Sequence, residues 1–137
     1  MCISSCNQQT PSFMEHVNTL YLDDTDSAYL LLTKERETIK KQDKSVQMNY
    51  HLLMAKIQEK RNERHTTDSI LKIVAQYFKE FGPFEQQLES YYLLGCTYRD
   101  MNEKAKALDY FQNILDISED DSYIELHEST HFQLGNI

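Results

Sequence analysis

The chain has 137 residues, 26% charged and 40% hydrophobic, with 3 Gly, 2 Pro and a net charge of −8. That length suits one domain. Scarce breakers favour long helices over glycine-turn hairpins, and no run of about 18 apolar residues offers a membrane span. Residues 1–79 hold 11 Lys/Arg against 10 Asp/Glu, whereas residues 80–137 hold 3 against 12. An acidic second half repels phosphates and argues against nucleic acid as the main partner; its sign favours a basic peptide or protein surface. Three cysteines cannot all pair within the chain, which argues against a disulfide framework. No phosphate-binding glycine loop, serine nucleophile elbow or Cys-x-x-Cys pair is present, so no cofactor is expected.

In chain order, Ile3-Ser4-Ser5-Cys6 comes first, followed by the polar run Asn7-Gln8-Gln9-Thr10-Pro11. The apolar-small-small-Cys pattern resembles a bacterial lipobox. The resemblance implies a lipid on Cys6, residues 1–11 as a tether, and helices from residue 12 to 137 held in the cell envelope. Without it the chain reads as cytoplasmic.

Ser12-Phe13-Met14-Glu15 fits a capping box that opens the first helix, with Phe13, Val17, Leu20 and Tyr21 on one face. The run from Asp23 to Ser27 breaks that helix and offers caps for the second, which carries Ala28, Leu31, Leu32 and Ile39. Ser45 begins a third helix with Val46, Tyr50, Leu53, Met54 and Ile57 as its apolar positions. The fourth has the same spacing at Ile70, Val74, Tyr77, Phe78 and Phe81, a good match to the 3.6-residue period. Gly82-Pro83 ends it.

The fifth helix runs from about Phe84 to Met101 and the sixth from about Glu103 to Ile117, with Asn102 in the left-handed turn position between them. Tyr91, Leu94-Gly95, Tyr98, Ala107, Phe111 and Ile114 carry the most specific signal in the chain. They resemble the tetratricopeptide repeat: an aromatic, Leu-Gly, an aromatic, then Ala, an aromatic and a final position that Ile114 fills. The resemblance implies an all-α solenoid, a right-handed superhelix of antiparallel helix pairs with about seven helices, built to hold a protein or peptide ligand rather than to catalyse. It further implies that the first helix of each pair lines the concave surface, which makes Glu89, Tyr92, Cys96, Arg99 and Asp100 the partner-binding positions. Met54, Gly95 and Gly135 are expected at the crossing place of three successive repeats.

Ser122-Tyr123-Ile124-Glu125 fits a second capping box and opens a seventh helix. That helix has no partner within the sequence, so either a further helix or a second copy of the chain, in a homodimer, is expected to cover it. His127-Glu128-Ser129-Thr130-His131 spells H-E-x-x-H, which resembles a zinc-protease signature over five residues. A zinc-dependent hydrolase is therefore one alternative, although no third ligand follows the motif. His131 also falls where the repeat wants a packed or edge ring. A second alternative is the input domain of a signalling protein. His16, His51 and His65 show no ligand spacing, and Cys96 is read as structural.

Overall fold

The computed structural model describes residues 10–119 and 121–137. Cys2, Cys6 and the lipobox-like stretch lie outside the described residues. The described part is all-α, with eight α-helices and one 3-10 turn rather than seven helices. These are α1 (Ser12–Asp23), α2 (Thr25–Lys34), α3 (Arg36–Ile39), α4 (Lys44–Lys60), α5 (Ser69–Phe81), α6 (Phe84–Asp100), α7 (Lys104–Ile117) and α8 (Ile124–Gly135), with the 3-10 turn at Asp121–Tyr123 before α8. The extra helix arises because the expected second helix breaks at Glu35, leaving the single turn α3 to bury Ile39.

Helices α1 and α2, α4 and α5, and α6 and α7 pack as successive hairpins. Each hairpin leans on the next, as α4 contacts α2 and α6, α5 contacts α6, and α8 contacts α6 and α7. This is the stacked helical-repeat architecture that the resemblance implied. Helix α4 is buried on two sides as a result. Met48, Leu52 and Ala55 join one apolar cluster with Leu71, Phe78, Leu94 and Phe111, whereas Val46, Tyr50, Leu53 and Ile57 join another with Val17, Ala28 and Leu32.

Caps and turns set the boundaries. The Asp24 side chain accepts from the Ser27 amide at 3.0 Å, and Asp43 accepts from the Val46 amide at 3.1 Å. The first expected capping box does not form. Ser12 is already helical, and Pro11 takes the cap position, its carbonyl accepting from the Met14 amide. Gly82, at φ +66°, ends α5 as expected. Asn102 sits at φ +62°, also as expected.

Two sequence expectations are corrected. In α5 the expected Val74 and Phe78 are buried and Tyr77 is partly buried against the same cluster, but Leu71 and Ala75 are buried beside them, whereas Ile70 is 47% and Phe81 70% exposed. Either edge of that stripe follows the helical period, so the pattern alone could not say which edge faces α4 and α6. The second correction concerns register. Asn62, at φ 56°, stands 40 residues before Asn102, and the closing hydrogen bonds repeat at the same offset. Asn62 N–H donates to the Glu59 carbonyl and Glu63 to Gln58, as Asn102 donates to Arg99 and Glu103 to Tyr98. The residue of α4 equivalent to Gly95 is therefore the buried Ala55, not Met54, and Ala55, Gly95 and Gly135 recur every 40 residues. Ala55 is small and buried, as a crossing residue must be; Met54 is only partly buried.

Candidate partner-binding groove

The first helices of the two later hairpins, α4 and α6, and the last helix, α8, stand side by side with the end of α1. Between them lies an open groove of about 600 Å³. Its apolar wall comes from Tyr92 and Leu93 of α6 and from Tyr123, Ile124 and Leu126 at the start of α8. At its α1 end Lys60 donates to the Tyr21 and Leu22 carbonyls at 2.7 and 3.1 Å, lying over the Tyr21 ring. Lys56 pairs with Glu89 across the floor at 3.1 Å. Beyond that pair a second hollow opens between α1, α4 and α6, lined with amides including Asn18, Asn49 and Gln86.

The five expected partner-binding residues separate into three kinds. Glu89 and Tyr92 line the groove. Cys96 lies beneath it, fully buried. Burial pushes its thiol well above the ordinary value, with the nearby Glu59 charge adding to the effect, so it stays protonated. Arg99 and Asp100 belong to an internal network. Arg99 donates to Glu59 at 3.2 Å, to Asp100 Oδ1 at 2.8 Å and to Gln133 Oε1 at 2.9 Å. Asp100 Oδ2 accepts from the His65 amide at 2.9 Å, and His65 Nε2 lies 3.2 Å from Glu59. Gln133 in turn donates to the Tyr92 hydroxyl at 3.3 Å. Three successive first helices, α4, α6 and α8, are thereby tied together below the groove floor.

This network also sets local protonation. Burial alone would raise the Glu59 carboxyl. Hydrogen bonds from His65 and Arg99, with their charges, instead hold it below the usual carboxylate value. Desolvation likewise works against the Arg99 charge, but its bonds to Asp100 and Glu59 raise it above the ordinary arginine value. The Tyr92 hydroxyl is raised chiefly by burial.

Glu59, His65 and Asp100 bring ligand-type atoms within 4.8 Å of one another, a grouping that spacing had not suggested. The Arg99 guanidinium already bonds both carboxylates, so the cation of this cluster is the protein's own. The H-E-x-x-H residues lie elsewhere. His127 Nε2 is 2.7 Å from the Ser118 hydroxyl, whose own proton goes to the Ile114 carbonyl. This bond holds the start of α8 against the end of α7. His131, equivalent to Tyr91 one repeat earlier, is exposed rather than packed. Tyr91 is covered by Tyr110 of α7, with ring centroids 5.7 Å apart, whereas among the described residues no helix follows α8.

Among known families, a model of the tetratricopeptide repeat matches residues 88–121, which covers most of α6, all of α7 and the linker beyond. No curated protein and no solved structure matches the chain. Tetratricopeptide repeats generally mediate protein–protein interaction.

Proposed function

We propose that the protein is a non-catalytic interaction scaffold that holds a segment of a partner protein in the groove between α4, α6 and α8. The observation that carries this reading is the groove itself: an open channel of about 600 Å³ with an apolar wall, set over a cross-bonded floor. A rigid floor with an open apolar wall suits capture without large rearrangement. Glu89 and Tyr92 are the contact residues, and Arg99 and Asp100 serve by fixing the floor. The acidic second half of the chain fits a basic partner.

A photo-reactive amino acid at Tyr92, compared with the same group at the exposed Gln112 of α7, tests the reading in cells. The groove position should yield a discrete crosslinked partner that the outer position does not. Equal products from both positions, or none from either, would remove the groove as the site.

We further propose that Cys6 carries a lipid, which would hold the scaffold at a bacterial envelope; the Ile3-Ser4-Ser5-Cys6 pattern supports this. Expression of the native gene with a clickable fatty acid should label the protein, and Cys6→Ser should abolish the label. Undiminished labelling of Cys6→Ser would refute the anchor.

A further inference from the structure

One stripe of α8 is bare where its counterpart in α6 is covered. Ile124, Glu128, His131 and Gly135 are spaced by four, three and four residues, which lines them up along one edge of the helix. Forty residues earlier the same places in α6 hold Phe84, Leu88, Tyr91 and Gly95. There α7 lies over the stripe: Leu88 is fully buried, Tyr91 meets Tyr110, and Gly95 abuts the Phe111 ring. In α8 all four residues are exposed, Ile124 to 56%, and a Cβ at Gly135 would meet nothing within 4 Å. The Glu128 and His131 side chains make no ion pair or hydrogen bond among the described residues.

The residue types say what can cover this stripe. Helix α7 turns Ala107, Phe111 and Ile114 inward, and an apolar helix of that kind would bury the Glu128 carboxylate uncompensated where α6 has Leu88. A second α8 meets every position. Laid antiparallel about the midpoint of the stripe, Ile124 of one copy stands opposite Gly135 of the other, and Glu128 stands opposite His131. A large apolar side chain then faces a glycine with open space above it, and a carboxylate faces an imidazole that can donate an N–H. Two-fold symmetry makes each match twice. A parallel alignment would instead set Glu128 against Glu128. The other carboxylate of α8, Glu125, lines the groove and lies off the stripe.

We propose that the bare edge of α8 binds a second copy of this chain, in an antiparallel α8–α8 pair with the register just given. Size and charge both match along it. One helix pair is small beside the interfaces of permanent dimers, so the association is reversible. Ile124 also borders the groove, and the second copy therefore sits at the rim of the partner site without filling it.

Sedimentation equilibrium of the full chain tests this pairing. The mass should rise from monomer towards dimer with concentration. Glu128→Lys should weaken the association about tenfold, since two pairs are lost and a cation is set against each imidazole. Gly135→Gln should weaken it at least as much by blocking Ile124 of the other copy. Its side chain enters open space in the single copy, and circular dichroism should show it folded. Exchanging the two groups, Glu128→His with His131→Glu, keeps acid opposite base and should pair as the wild type does. A monomer at every concentration would overturn the proposal and leave the stripe to a helix of another protein. A dimer insensitive to both Glu128→Lys and Gly135→Gln would place the contact elsewhere and overturn it too. An exchanged variant as weak as Glu128→Lys would overturn the antiparallel register. Crosslinking from Tyr92 reads the groove separately, so the two proposals fail independently.

Discussion

Gly95 is where two helices of one hairpin approach closely enough for a single methyl group to matter. A Cβ placed there would lie 2.4, 2.7 and 2.8 Å from three atoms of the Phe111 ring. Carbon atoms in ordinary contact sit about 3.5–4.0 Å apart, so α6 and α7 would have to separate by about 1 Å or the ring would have to turn. The ring has little freedom, since Phe111 is fully buried and lies 5.8 Å from the Tyr92 ring. Overpacking of a well-filled core costs about 1–3 kcal/mol, and three contacts on one immobile ring place Gly95→Ala at about 3. Against that, alanine gains about 1 kcal/mol of helix propensity over glycine. The net expectation is a loss of about 2 kcal/mol, or roughly 6–10 °C in Tm for a chain of this size.

The equivalent Gly135 supplies the control, because a Cβ there meets nothing within 4 Å. Gly135→Ala should leave stability unchanged or raise it by up to about 1 kcal/mol. Urea titration followed by circular dichroism at the helical band measures both variants. Adding Phe111→Leu to Gly95→Ala should restore part of the loss, giving a double variant more stable than the sum of the single changes by about 1 kcal/mol. If Gly95→Ala were as stable as the wild type, the close crossing of α6 and α7 would be wrong, and the register built on Ala55, Gly95 and Gly135 would go with it.

Glu59→Gln should cost about 1–3 kcal/mol, because it removes the charge that Arg99 and His65 face while both side chains are largely shielded. The folded-state carboxyl is depressed, so this contribution is complete above the unfolded carboxyl value and is lost as pH falls through the folded one. The stability gap between wild type and variant, read by urea titration at several pH values, should therefore shrink toward acid; a constant gap would refute the ionic account. At Asn102, where φ is +62°, Asn102→Ala should cost about 1 kcal/mol and Asn102→Gly should cost nothing, since only a residue with a β-carbon and no local hydrogen-bonding side chain is penalised there. Thermal melts of the two variants check the sign.

The α6–α7 hairpin was legible because its signal is complementary. A glycine and a phenylalanine at the right separation mark one crossing from both sides, and Gly95 and Phe111 do meet. Helix α5 shows the limit of periodicity. Val74 and Phe78 lie on the buried stripe as expected, but Ile70 and Phe81 on one edge and Leu71 and Ala75 on the other share its period, and only packing against α4 and α6 chooses between the edges. The first capping box failed for a local reason: Pro11 already supplied the carbonyl that starts α1. Cys96 was misplaced among contact residues because α6 is buried on several sides, so a position on its inner face can still lie beneath its neighbours. The Glu59, His65, Arg99 and Asp100 network joins residues some 35–40 apart, beyond any local pattern. One signal for it was present all the same, since Glu59 and Arg99 are opposite charges at equivalent places in adjacent repeats.

That last relation has a physical basis in the way 40-residue repeats stack. Stacked repeats present equivalent residues of neighbouring first helices to one another, so a charge kept the same in every copy would face itself. Here the position alternates, with Glu59 on α4 and Arg99 on α6, and the stack gains an ion pair where repetition would bring repulsion. Glu85 and Glu125 break the same rule in the turn that α6 adds ahead of the matched stretch: like charges recur at neighbouring equivalent places with no internal cation beside either. The two positions differ in what surrounds them. Glu59 and Arg99 form a half-buried floor, where an uncompensated charge is costly, whereas Glu85 and Glu125 lie exposed in the groove, where water screens the repulsion. Replacing Glu125 by lysine should therefore stabilise the fold slightly, by up to about 0.5 kcal/mol through its attraction to Glu85 in the same groove, read by urea titration. A variant that lost stability would show that the Glu125 carboxylate is held by the fold, and that repulsion between the two groove carboxylates is not what sets its contribution.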